Sequence, residues 1–233
     1  MKVPWISKAQ ISEKALALIE NFQAMVGGYA VRPPIPVEDI IERYLGLRLS
    51  YDDLEKILGA RDVLGATYVK SRLICVNEKL FEHSSEGRLV FTCAHEVGHW
   101  ILHRRYVNVQ GRFSANTEVI VCRARDTKEP IEWQADYFAA CLLMPETEVK
   151  EASRRAFGEG ALVLHNVKSS FGGTSSFIDP CAENWHFLAE MVREAGGFTN
   201  VSKHAMIIRL QELGLLINLT GGQMGWQDSF KAD

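Results

Sequence analysis

No stretch limits this chain as much as Phe91-Thr-Cys-Ala-His95-Glu96-Val-Gly-His99-Trp-Ile-Leu-His103. Leu89, Val90, Cys93, Ala94, Val97, Trp100, Ile101 and Leu102 predict a largely apolar helix here. In a helix, residues four apart lie on one face, one turn apart. His95 and His99 therefore present two imidazoles to one point, and Glu96 is rotated by about 100° from His95. A buried helix carrying two imidazoles and a carboxylate is costly unless these groups have partners or a metal. The spacing suits one tetrahedral ion bound by both histidines. Glu96 then stands beside the ion, placed to take a proton from water, which is the chemistry of a zinc hydrolase.

A catalytic zinc usually has three protein ligands and one open position. His103 lies four residues beyond His99. One straight helix carries it a further turn away, too far to close the same tetrahedron. It reads as a surface residue or one supporting the site, and stays a candidate cleft residue. Glu132 is the preferred third ligand. It lies in Glu129-Pro-Ile-Glu132-Trp-Gln-Ala-Asp136-Tyr-Phe-Ala-Ala-Cys-Leu-Leu-Met-Pro145, where Pro130 suits a first helical turn and Met-Pro ends the helix. Glu132 and Asp136 share a face, and two like charges there call for something cationic opposite. Asp136 would then accept the remaining ring N–H of His95 or His99. The alternative for this pair is an ordinary solvated acidic face.

These residues carry a family likeness. Arg88-Leu-Val-Phe91-Thr92-Cys-Ala94-His95-Glu96-Val-Gly98-His99-Trp-Ile-Leu102-His103, followed by Glu132-x-x-Ala135-Asp136-x-Phe138-Ala139-x-x-Leu142-Leu143-Met144-Pro145, closely resembles the signature of the ImmA/IrrE metallopeptidases. Ile74-Cys-Val76-Asn77 resembles the strand before the family's active helix, so the likeness covers roughly residues 10–160. It implies a zincin-like fold, His95, His99 and Glu132 as metal ligands, and Glu96 as general base. It also implies a cytoplasmic regulator that cleaves helix-turn-helix repressors of the XRE type in a stress or mobile-element response. Asp136 takes a place often filled by Asn. The segment 104–128 is long and has room for an extra hairpin.

The 233 residues suffice for one large domain, or one with a small module, and the hydrophobic (47%) and charged (24%) fractions are those of a globular protein. A net charge of −3 gives no electrostatic argument for nucleic acid or a membrane as partner. Cys75, Cys93, Cys122, Cys141 and Cys181 form no C-x-x-C pair and read as buried thiols of a reducing compartment. No signal peptide opens the sequence and no apolar run reaches about 18 residues, so a cytoplasmic protein is expected. Zinc is the expected cofactor, one per chain, although the site chemistry also admits manganese or cobalt.

Along the chain, residues 7–26 predict an amphipathic helix capped by Ser7 or Ser12, and Val37–Gly46 a second helix with a glycine stop. Residues 47–51 alternate as a strand. Val63–Val69 and Arg72–Val76 predict a hairpin, read as the edge element that pairs with an extended substrate. Tyr68 on this hairpin is either an oxyanion donor or a half-buried strand tyrosine. Glu118–Cys122 is β-rich and a candidate cover for the cleft, residues 146–157 a charged helix, and His165 a surface residue in a loop region. Residues 184–215 read as helix, glycine turn, Ser202-capped helix and glycine stop, which resembles a helix-turn-helix. Its three basic residues (Arg193, Lys203, Arg209) are matched by three acids, favouring docking or packing over DNA binding.

The expected fold is α+β. A zincin-like peptidase domain spans residues 1–160, a loop 161–182, helix-turn-helix-like helices 183–217 and a polar tail 218–233. The partner expected is a protein substrate. Two rivals remain: a metal-containing regulator that binds a repressor or antitoxin-like partner without cutting it, and a DNA-binding regulator using the C-terminal helices.

Overall fold

A computed structural model describes residues 3–83, 86–110, 119–123, 129–164 and 182–218. Helix α1 (Lys8–Met25) begins at a capping box, in which the Ser7 hydroxyl accepts from the Gln10 amide and the Gln10 side chain from the Ser7 amide. It ends at Gly27 and Gly28, both with positive φ. Helix α2 (Val37–Asp39) continues as a π-helical turn, Ile40–Tyr44, and stops at Gly46. Strand β1 (Arg48–Asp52) leads into a short helix α3 (Leu54–Leu58), capped by Asp53. Then come β2 (Val63–Tyr68), β3 (Leu73–Asn77), α4 (Lys79–His83) and the long α5 (Glu86–Gln110). Next are β4 (Val119–Arg123), α6 (Pro130–Leu143) and α7 (Glu146–Phe157). The rest is β5 (Leu162–Leu164), α8 (Ala182–Gly196), α9 (Lys203–Glu212) and β6 (Leu216–Asn218).

The class is α+β, with helices predominating. One sheet has the order β1-β3-β2-β4, with β1 parallel to β3 and the other pairs antiparallel. The hairpin β2–β3 is therefore central, and the edges are β1 and β4. This corrects the expectation that the hairpin is the edge element: β4, far along the chain, takes that place beside β2. Along β2 the faces alternate. Ala66 and Tyr68 belong to a small outer core with Leu54, Leu58 and Cys75, while Thr67 points to α5.

Helix α5 packs on the inner face of this sheet, α6 packs on α5, and α1 packs on α6. Residues 91–100 are all buried, so the middle of α5 has no solvent face. The main core runs from Ile11 to Leu216 and includes Leu188, Val192, Phe198, Ile207 and Leu210 of the C-terminal segment. There, Asn200 donates to the Ile35 carbonyl and the buried Arg209 to the Met144 carbonyl at the end of α6. Ser202 caps α9 as expected, and Gly197 and Gly214 have positive φ at the predicted turns. The loop expected over residues 161–182 instead opens with β5, which pairs in parallel with β6. Residues 165–181, with His165 and Cys181, and the polar tail beyond Asn218 lie outside the described residues, as do residues 111–118 and 124–128 on either side of β4. Among the described residues no helix is long and apolar enough to cross a membrane.

Candidate metal centre

The site is assembled where α6 crosses α5. A β-carbon on Gly98 would lie 3.1 Å from the Ala135 Cα and carbonyl oxygen, so the two helices approach almost backbone to backbone. This contact sets Glu132 and Asp136, one turn apart on α6, against His95 and His99, one turn apart on α5. All four side chains are at least 95% buried.

The hydrogen-bond chain fixes the ring tautomers. The Gln134 amide nitrogen donates to the Pro4 carbonyl, which turns its oxygen toward His103 Nε2 at 3.1 Å. His103 thus carries its proton on Nε2 and accepts on Nδ1 from His99 Nδ1, 3.0 Å away. With its proton on Nδ1, His99 has a lone pair on Nε2. His95 likewise gives its Nδ1 proton to Asp136 Oδ1 at 2.8 Å, leaving a lone pair on its own Nε2. These two Nε2 atoms are 2.9 Å apart, and Glu132 carboxylate oxygens stand 3.1 Å and 3.5 Å from them. Three acceptors converge with no ring hydrogen among them, an arrangement that suits a bound cation. Two imidazole nitrogens and one carboxylate oxygen are the donors that a divalent metal such as zinc takes.

The electrostatics agree. Burial by itself would raise the Glu132 carboxyl, but His99 and His95 outweigh it and hold Glu132 well below the usual range. Burial also opposes an imidazolium at His95, yet Cys122 and Asp136 beside it raise its proton affinity well above normal. His103 is driven the other way, down to about 3, by burial and by the neighbouring His99. It therefore stays neutral.

Glu96 is fully buried. Its Oε2 accepts from the Thr67 hydroxyl at 2.6 Å, while Oε1 has no hydrogen-bond partner. Burial pushes its carboxyl above the ordinary range, only partly offset by His99, His95 and Thr67. Such a carboxylate, poised beside the convergent donors with one free oxygen, suits a proton acceptor. Among the described residues, groups able to hold a metal, their ligand atoms within 4.8 Å of one another, are His95, Cys122 and Glu132, and also His95, Glu96 and His99.

A sequence model of the IrrE N-terminal-like peptidase domain matches residues 42–179, more than half of the chain and every candidate metal ligand just described. The chain belongs to the IrrE N-terminal-like domain family. It matches no curated protein. Membership places the chain among metallopeptidases, which implies a divalent metal, typically zinc, and a protein substrate.

Within this IrrE-like chain, His95, Glu96, His99, Glu132 and Asp136 lie together. Of the two places expected for His103, it takes the one supporting the site: it is fully buried, with its Nδ1 hydrogen-bonded to that of His99. Tyr68 is not directed at Glu96. It stands on the outer face of β2 with Ala66, and burial first, then Cys75, Asp52 and Glu96, raises its phenol. Four residues of the IrrE-like site were missed: Gln134, Thr67, Gly65 and Cys122. Gln134 had a signal, lying one turn from Pro130 beside Glu132. The other three come from the sheet, and their place depends on which strands pair.

Proposed function

We propose that this chain is a zinc endopeptidase with a zincin-like core, in which His95, His99 and Glu132 hold the metal and Glu96 is the general base. The observation that carries this reading is the convergence of three acceptors beside the unpartnered Oε1 of Glu96. Zinc bound there would polarise a scissile carbonyl and lower the pKa of a water. Thr67 holds one oxygen of Glu96 and leaves the other free to take a proton from that water. The raised affinity of Glu96 for a proton lets it carry the proton and return it to the leaving amine. Asp136 fixes the ring of His95, and His103 with Gln134 fixes that of His99, so both Nε2 lone pairs are oriented before any metal arrives.

The substrate is an extended segment of a protein. Among the described residues no strand pairs with the outer edge of β4. A peptide added along that edge gains main-chain hydrogen bonds with little demand on its sequence. The resemblance of the paired motifs to the ImmA/IrrE peptidases favours a helix-turn-helix repressor as the physiological target, in a cytoplasmic regulatory role. Binding of DNA by the C-terminal helices has less support. Arg209 is buried against the Met144 carbonyl, and Arg193 and Lys203 both pair with Glu190, so the segment's three basic residues are engaged within the protein.

The test uses the metal-loaded chain and its Glu96→Gln variant. Each is incubated with helix-turn-helix repressors from the same cell and with a peptide library, and the products are read by mass spectrometry. Cleavage by the wild type that is lost in a variant of equal metal content supports the assignment. Equal cleavage by both removes Glu96 from the role. Equal repression relief by both, without any cleavage, transfers the protein to the binding regulators.

A further inference from the structure

Cys122 has no part in the chemistry above, yet the fold places it at the metal centre. It pairs with Gly65 across the β2–β4 ladder. Residues paired across a ladder share a face, and Gly65 faces Glu96, so Cys122 points toward α5 as well. There its Sγ lies within 4.8 Å of ligand atoms of His95 and Glu132, and it shares a hydrogen bond with His95. It is 3% exposed. The other described cysteines are elsewhere: Cys75 donates to Asp52 on the outer side of the sheet, Cys93 is bonded to Tyr51 and Cys141 to Ser12. A second observation marks the same spot as a place for a ligand, since Glu96 Oε1 is buried there without a partner.

We propose that Cys122 supplies a fourth protein ligand to the metal, so that the resting centre is closed. The proposal rests on the metal-centre reading above. Thiolate is a strong ligand for zinc, and four protein ligands make a site of the structural kind, whereas a hydrolytic site keeps one position open. Catalysis would then require Sγ to give up its place on the metal to a water, with room beside it for a carbonyl near Glu96. The strand that carries Cys122 is also the edge strand with which a peptide would pair. Substrate engagement and release of the latch thus fall on one element, β4, and a chain without an engaged substrate is held silent.

Cobalt reports the sulfur directly, because a thiolate bound to cobalt(II) gives an intense charge-transfer band in the near ultraviolet that nitrogen and oxygen ligands do not give. The full chain, stripped with chelator and reloaded with one cobalt ion, is expected to show this band. Cys122→Ser is expected to lose it completely while still binding cobalt. A chain in which Cys75, Cys93, Cys141 and Cys181 are all replaced by Ser is expected to keep it. This last variant serves as the test if Cys122→Ser does not fold. Cobalt bound to the wild type without the band would overturn the proposal and leave the three-ligand centre standing. A full band in Cys122→Ser would overturn it also, as would loss of the band from the cobalt-loaded chain that retains only Cys122. No cobalt in the wild type at all would remove both the fourth ligand and the metal centre.

Discussion

A β-carbon on Gly65 would stand 2.4 Å from Oε1 of Glu96 and 2.9 Å from its Cδ. The absent side chain on β2 is the space that the candidate base occupies. Gly65→Ala forces Glu96 off its Thr67 hydrogen bond, and the packed site has little room to receive it. Overpacking of this kind costs about 1–3 kcal/mol of stability. The expected variant is folded, binds the same amount of metal and is depressed in cleavage roughly as far as Glu96→Gln. Loss of a general base costs about 10²–10⁴-fold. Elemental analysis, a thermal melt and a cleavage assay on the two variants together check this. Wild-type cleavage by Gly65→Ala would show that Glu96 tolerates displacement.

Asp136 accepts from His95 at 2.8 Å and so decides which nitrogen of that ring keeps its lone pair. Asp136→Ala removes this acceptor, so the ring of His95 is no longer held in the tautomer that keeps a lone pair on Nε2. Metal affinity is expected to fall about 10–100-fold, the range seen when the carboxylate behind a ligand histidine is lost. Competition against a coloured chelator measures it. Unchanged affinity would mean that the ring is held in place without this bond.

Removing the metal should loosen the whole protein, because only the folded chain brings the donors together. At a free metal concentration about 100 times Kd, the linkage amounts to roughly 2.7 kcal/mol. For a chain of this size that is a drop in Tm of about 5–11 °C on adding chelator. Glu132→Ala, lacking one donor, should show a much smaller response. Differential scanning fluorimetry with and without chelator distinguishes the two chains, and an equal response would place the bound metal elsewhere.

His103 offers a pH test in the chelated protein. Native His103 titrates near 3, held neutral by burial and by His99, whereas an unfolded histidine titrates near 6.5. Between these values the unfolded chain binds the extra proton, so the depressed group contributes stability above the unfolded value that is lost as the pH falls. The advantage of the wild type over His103→Gln should therefore be greatest near pH 7. It should narrow toward pH 4 by up to about 1.4 kcal/mol per unit. Denaturant titrations at several pH values read the difference. A gap independent of pH would mean that His103 is charged or exposed.

What the sequence made legible is the part that one helix or one helical turn encodes. The intervals His95 to His99 and Glu132 to Asp136 are each one turn, and helical geometry alone places each pair on a common face. Pro130, Met144-Pro145, Ser7 and Ser202 mark helix ends by local chemistry, and the structure uses them so. The sheet was less legible because strand order is not local. Residues 63–76 read as a hairpin, but nothing near them says that residues 119–123 return to take the edge beside β2. The place of Thr67, Gly65 and Cys122 beside the α5 site is therefore not legible, although Glu118–Cys122 reads as a β-rich cover for the cleft, and the edge position expected of the hairpin belongs to β4. For His103 the sequence left two places open, at the surface or in support of the site, and packing of α6 against α5, which brings Gln134 to its ring, decides for the second.

Glu132 reaches His95 from 37 residues away, and it does so only because α6 settles onto the bare surface of Gly98. The donors are thus scattered until the chain is assembled, and metal bound by them is withdrawn from the unfolding equilibrium. In a cell poor in the metal, a larger fraction of chains would open and be taken by the degradation machinery. The crossing at Gly98 would then make metal supply govern how many copies survive, before the activity of any one copy is in question.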